Sequence, residues 1–186
     1  MRQLILPLTG IVLICVLACR HEKNDVFPAI DFIKSQVAAV DSSVDAILEL
    51  RHITDSTYDT VYLKRDDFNR LAREFTETPD ISKKFGGKYT ETRMMNNELG
   101  QVVFTSTPSD PDLEVRRQEV RITPDPPRDK VKSIYLERFR SNGDSSVTKR
   151  LTWHTDKSFQ VVTIVQKKNG AETDSVVDVV WNTQSN

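Results

Sequence analysis

Three histidines, His21, His52 and His154, are the side chains of this 186-residue chain best suited to exchange a proton near neutral pH. None of them belongs to a His-Glu-x-x-His or other spaced metal-ligand pattern. His154 stands two residues before Asp156, which puts an imidazole and a carboxylate on the same strand parity. Both fall at a turn signal, so the pair reads as two solvated turn residues before it reads as an acid–base pair. Asp55, Asp59, Asp66 and Asp67 crowd one stretch but lack the Asp-x-Asp-x-Asp-Gly register that wraps calcium. The serines make neither a Gly-x-Ser-x-Gly elbow nor a Ser-x-x-Lys motif with its companions. Gly86-Gly87 reads as a hinge between a helix and a strand, not as a phosphate-cradling loop. The expectation is therefore no enzyme, no metal and no cofactor.

Large aromatics and arginines are the other residues able to recognise something. Trp153 in "LTWHT", Trp181 in "VVWN" and Tyr135 in "SIYLE" are the candidate ligand-facing aromatics. For the tryptophans the competing reading is ordinary core. Arg116, Arg117, Arg121, Arg138 and Arg140 suggest a basic stripe across adjacent strands. Glu114, Glu119 and Glu137 interleave with them, which is the pattern of a salt-bridged surface.

Both cysteines, Cys15 and Cys19, lie in the first twenty residues. Met1-Arg2-Gln3 precedes an apolar run from Leu4 to Ala18, and a charged segment follows Cys19. A positively charged start followed by an apolar run is the layout of an export signal. At about 1.5 Å per residue the run reaches about 22 Å, short of a hydrocarbon core of about 30 Å, and Pro7 weakens a spanning helix further. Val16-Leu17-Ala18-Cys19 resembles the lipobox of bacterial lipoproteins, with Val16 where Leu is more usual. That resemblance covers the leader alone. It implies cleavage before Cys19, a thioether-linked diacylglycerol on its sulfur and often a further acyl chain, such as palmitate, on its amine. Each buried methylene contributes about 0.8 kcal/mol, so two or more chains hold stably where one holds marginally. A lipidated Cys19 would leave no thiol for catalysis, zinc or iron–sulfur ligation in the mature chain. Arg20, not Asp, follows the cysteine, which in the sorting rule of many Gram-negative lipoproteins favours the outer membrane.

With 26 basic and 27 acidic residues and a net charge of −1, no strong field is expected, which speaks against nucleic acid as a partner. The expected organisation is a signal peptide over 1–18, a lipidated Cys19 with a polar tether through 26, and one domain over 27–186.

Phe27, Ile30, Ile33, Val37, Val40 and Val44 recur at steps of three and four, so a helix is expected from about Pro28 to Val40 or beyond. Residues 47–63 read as a hairpin around Thr54-Asp55-Ser56-Thr57, or as a continuation of that helix to Leu50. Phe68, Leu71, Ala72 and Phe75 mark a second helix, stopped by Pro79. From residue 88 onward seven strand-like segments follow, near 88–95, 99–107, 113–123, 130–141, 146–155, 158–167 and 173–182. Asn142-Gly143 and Asn169-Gly170 predict type I′ hairpin turns, and with Asp156-Lys157 they make the last four strands a meander.

The fold class that emerges is α+β: two N-terminal helices on a strongly curved antiparallel sheet of about six to seven strands. Cystatin-like, NTF2-like and half-barrel forms fit the pattern equally. Apolar residues on both parities of several segments suggest a sheet covered by helices on one face and curled on the other. Two functions follow: a membrane-anchored, non-enzymatic module that binds an envelope protein, or a carrier of an apolar ligand in the curl of the sheet.

Overall fold

The computed structural model describes residues 26–53, 57–85 and 87–181. Cys19, the leader and the tether through Asp25 lie outside the described residues. Helix α1 (Ala29–Ser42) is followed by the hairpin β1 (Leu48–His52) and β2 (Tyr58–Tyr62). Helix α2 (Arg65–Thr76) and one turn of helix, α3 (Ile81–Lys84), come next. Seven strands complete the chain: β3 (Tyr89–Asn96), β4 (Gln101–Pro108), β5 (Val115–Thr123), β6 (Lys130–Ser141), β7 (Ser145–His154), β8 (Ser158–Lys167) and β9 (Glu172–Val180). No helix among the described residues is long and apolar enough to cross a membrane.

All strands join one antiparallel sheet in the order β2-β1-β9-β8-β7-β6-β5-β4-β3, open at both edges. Two expectations change here. Among the described residues the sheet has nine strands, not six or seven, and the two main helices are separated by a hairpin that is itself part of the sheet. The seven-strand meander matches the segments read from the sequence. The extra two strands come from β1, which pairs with β9 through Leu48–Val180, Glu49–Val179 and Leu50–Asp178. Alternation within a segment reveals a strand and its faces, but not which distant strand it lies beside.

Gly143 carries the β6–β7 turn with φ 87°, while Asn142 keeps a negative φ, so Asn-Gly does not form a type I′ turn here. Asn142 instead accepts from the amides of Asp144 (3.1 Å) and Ser145 (2.9 Å) through its side-chain oxygen. That turn sets the pairing of Ser141 with Ser146, and hence of Tyr135 with Thr152.

The helices cover one face only. Ile30, Ile33 and Val40 of α1 and Phe68, Ala72 and Phe75 of α2 are buried against Val120, Ile134, Leu136, Leu151, Trp153, Phe159, Val161 and Val179 of the sheet. Each fully buried Phe, Leu or Ile contributes about 1.5–3 kcal/mol. Aromatic rings fill the middle of this layer. Phe75 meets Trp153 edge-on at 5.2 Å and Phe159 at 5.3 Å, and Phe68 meets Trp181 at 5.6 Å. A smaller cluster of Ile81, Tyr89 and Val115 lies under α3, where the Tyr89 hydroxyl donates to the Val115 carbonyl at 2.9 Å.

Polar clamps fix the helices to this face. Arg65 donates to the carbonyls of Val40, Ser43 and Asp45, satisfying the open C-terminal end of α1. Gln118 holds the other end by donating to the Phe27 carbonyl at 3.0 Å. Arg138, only 8% exposed, donates to Glu114 at 2.7 Å and to the Glu74 carbonyl of α2 at 3.0 Å, while Lys149 grips the Glu74 carboxylate at 2.7 Å.

Candidate functional site

With the helices on one face, the other face of the central strands is left to polar side chains. Antiparallel register stacks them in rows. Arg121 pairs with Ser133 and Ser133 with His154; Glu119 pairs with Tyr135 and Tyr135 with Thr152; Arg117 pairs with Glu137 and Glu137 with Arg150. The result is a three-by-three polar grid on β5, β6 and β7. Its back-side neighbours, Gln118, Val120, Ile134, Leu136, Leu151 and Trp153, are all buried. A register irregularity between Val115 and Arg117, and another between Arg121 and Ile122, bracket the β5 part of the grid. Such bulges bend a strand and increase its twist, and they are common beside sites.

The grid lines a hollow of about 340 Å³ formed by Arg117, Glu119, Arg121, Ser133, Tyr135, Thr152 and His154. A smaller hollow of about 170 Å³ adjoins it, sharing Thr152 and His154 and extending past Ser158 and Gln160 to Asp178 and Leu50. The two make one groove that crosses from β5 to β9 and reaches β1.

Charges within the groove are arranged unevenly. Glu119, nearly buried, is paired with the Arg117 guanidinium. Arg121 stands 3.6 Å from the same carboxylate, outside hydrogen-bond range. One anion thus lies between two cations. Tyr135 donates its hydroxyl to Glu137 at 2.9 Å. Burial and that acceptor push its phenol up to about 12. His154 is held below the ordinary imidazole value, by burial of its ring first and then by the charges of Lys157 and Arg121. Asp156 takes the left-handed turn conformation (φ 56°), and its amide donates to Gln36 of α1 at 3.0 Å. The charges that act on His154 are those of Lys157 and Arg121.

At the far end of the groove His52 meets Asp178, Nε2 to Oδ2 at 2.6 Å, and Gln160 donates to the other oxygen at 2.9 Å. An imidazole oriented by a fixed carboxylate is half of a general-base arrangement. No hydroxyl among the described residues is hydrogen-bonded to His52. Nor do any three His, Cys, Asp or Glu side chains among the described residues gather closely enough to hold a metal ion.

The three aromatics singled out in the sequence do not share a face. Trp153 (0% exposed) and Trp181 (2%) lie 5.2 Å apart in the core under the helices, whereas Tyr135 stands in the groove. The arginine stripe divides as well. Arg117 and Arg121 face the groove, Arg138 and Arg140 share Glu114 elsewhere, and Arg116 lies over the Phe139 ring at 5.0 Å. Ser133, Thr152, Gln160 and Asp178 were not singled out in the sequence. For Ser133 and Thr152 the signal is nevertheless there, in polar residues at alternate positions of three consecutive strands: Arg117/Glu119/Arg121, Ser133/Tyr135/Glu137 and Arg150/Thr152/His154. Comparison with protein-family models, with curated proteins and with solved structures returns no match to this chain.

Proposed function

We propose that this protein is a lipid-anchored, non-enzymatic binding module of the bacterial envelope, held at the outer membrane through Cys19, and that the polar groove is its recognition surface. One observation carries the assignment of the surface: the central strands keep one face under the helices and leave the other lined by Arg117, Glu119, Arg121, Tyr135, Thr152 and His154. Burying a polar grid needs partners for its hydrogen bonds, and a ligand or partner surface of matching polarity supplies them. The lipobox supports the anchor. Carriage of an apolar ligand lacks comparable support, because the rings that would line an apolar cavity, Trp153, Phe159 and Trp181, lie against each other and against Phe68 and Phe75.

Mass spectrometry of the detergent-extracted full-length protein tests the anchor: an acyl adduct at Cys19 is expected, absent in Cys19→Ala, and an unmodified Cys19 refutes it. Cysteine footprinting tests the surface. Thr152→Cys is expected to react with a maleimide severalfold more slowly in intact membranes than after purification, while Lys34→Cys, exposed on α1, reacts equally in both. Equal rates at position 152 refute the groove as the recognition surface.

A further inference from the structure

We infer that the groove takes a small hydrophilic oxyanion, a carboxylate or phosphate group carried on a hydroxylated body the size of one monosaccharide, seated at the Arg121–Ser133–His154 row. The inference rests on the groove being the recognition surface and adds its ligand class. Three observations carry it. First, the row is a set of donors short of acceptors. Arg121 lies 3.6 Å from its nearest carboxylate oxygen, and among the described residues neither the His154 ring nor the Ser133 hydroxyl is hydrogen-bonded to another side chain. Second, the charge balance at this end is positive. Among the described residues Glu119 is the one carboxylate lining the main hollow, and it lies between Arg117, its hydrogen-bonded partner, and Arg121, so two guanidiniums share a single anion. A planar guanidinium presenting paired N–H groups is suited to the two oxygens of a carboxylate or phosphate. Third, the volume of about 340 Å³ is at the lower end of small-molecule sites, large enough for one sugar ring. Tyr135 lines the hollow between its strand partners Glu119 and Thr152, whose polar side chains are suited to exchange hydrogen bonds with hydroxyl groups.

The depressed basicity of His154 agrees with this geometry. Burial is the first cause of that depression and the charges of Lys157 and Arg121 the second, and an anion seated beside the ring offsets the second.

The test uses the full-length protein in detergent micelles and three matched probes: glucuronate, a glucose monophosphate, and glucose. Calorimetry is expected to show the two anions binding about tenfold or more tighter than the neutral sugar. Arg121→Gln is expected to weaken both anions by about tenfold or more and to leave glucose unchanged. Nuclear magnetic resonance of the His154 ring is expected to show its pKa rising when either anion is bound. A preference for one anion identifies whether the carboxylate or the phosphate is the better fit and supports the inference either way. Equal binding of glucose and the anions, or full anion affinity in Arg121→Gln, overturns it. Arg121 is half-exposed, so the variant is expected to fold, and an unchanged urea midpoint verifies this. Tyr135→Ala separates the two readings. If Tyr135→Ala abolishes binding of all three probes and Arg121→Gln changes none, the groove binds but not through its cationic end, and this inference alone falls. If no probe binds and Thr152→Cys is not protected in membranes, both fall.

Discussion

Phe75 is the side chain on which the covering of the sheet can be tested most sharply. It is fully buried, and its ring stands 5.2 Å from Trp153 and 5.3 Å from Phe159, both edge-on. Truncating a buried Phe to Ala removes its transfer energy and leaves a cavity, at a cost of about 3–5 kcal/mol. The upper half of that range applies, because the neighbours are rigid rings that cannot collapse into the space, and each edge-to-face pair contributes about 0.5–1.5 kcal/mol. Phe75→Ala is therefore expected to cost about 4–5 kcal/mol. Phe75→Leu keeps most of the volume and loses the ring pairs, so about 1–2 kcal/mol is expected. Leu71, on the same helix but only partly buried, gives about 1 kcal/mol on truncation to Ala. Urea unfolding followed by tryptophan fluorescence is the assay, since both tryptophans of the chain lie in this cluster. With a slope of about 2 kcal/mol per molar, Phe75→Ala is expected to lower the midpoint by about 2 M. A drop below about 0.5 M at unchanged slope would refute the claim that α2 is clamped to the sheet through this ring, and so the claim that only the far face is free.

Two further predictions concern pH. Glu114 is pushed upward by burial, but hydrogen bonds and charge from Arg140 and Arg138 more than reverse this and hold its carboxyl below the ordinary value of 4.5. A depressed acid stabilises the fold above its unfolded pKa and loses that contribution as pH falls through the folded one. Wild type should therefore lose more stability than Glu114→Gln between pH 4.5 and the acid limit of folding, measured by urea midpoints. Tyr89 has the opposite sign. Burial pushes its phenol up to about 12 from 10.0, so its neutral form stabilises the fold below pH 10.0, and that contribution disappears as pH rises toward 12. Tyr89→Phe should remove this alkaline loss while costing about 1 kcal/mol at neutral pH through the bond to the Val115 carbonyl. An alkaline limb identical in Tyr89→Phe would contradict the burial of that hydroxyl.

Helices and hairpins were legible where the periodicity was local. Phe68, Ala72 and Phe75 mark α2 through their steps of four and three, and the turns at 142–143, 155–157 and 169–170 delimit the last four strands. The hairpin turn at Asn142-Gly143 was legible as a turn but not in its type, because Asn142 bonds its own loop amides and keeps negative φ. The segment of β1 was legible only as one arm of a hairpin or as the end of a prolonged first helix, and its place beside β9 was not legible, since that depends on a pairing between residues 48 and 180 that no local pattern encodes. The same holds for α3, whose four residues are too few for periodicity and which is started by the Asp80 side chain accepting from the Ser82 amide at 3.0 Å. The site was half visible. Alternation divides Tyr135 from Ile134 and Thr152 from Trp153, but apolar residues such as Phe139 and Val162 on the groove's parity obscured which face the helices would choose. That choice is made by volume: the large rings Trp153 and Phe159 sit opposite Phe75 and Phe68, and only their side of the sheet complements α2.

The order of the sheet has a consequence for how the chain acquires its shape. Strands β3 to β9 each pair with the next in sequence, so they can zip up hairpin by hairpin with short loop closures. Helices α1 and α2 emerge first during synthesis, but the sheet surface that shelters Ile33, Phe68 and Phe75 belongs to β5 through β9, which emerge later. Strand β1 must also wait for β9, its neighbour across more than a hundred residues. For most of its translation the nascent chain therefore carries two greasy helical stripes with nothing to rest on, a state prone to aggregation.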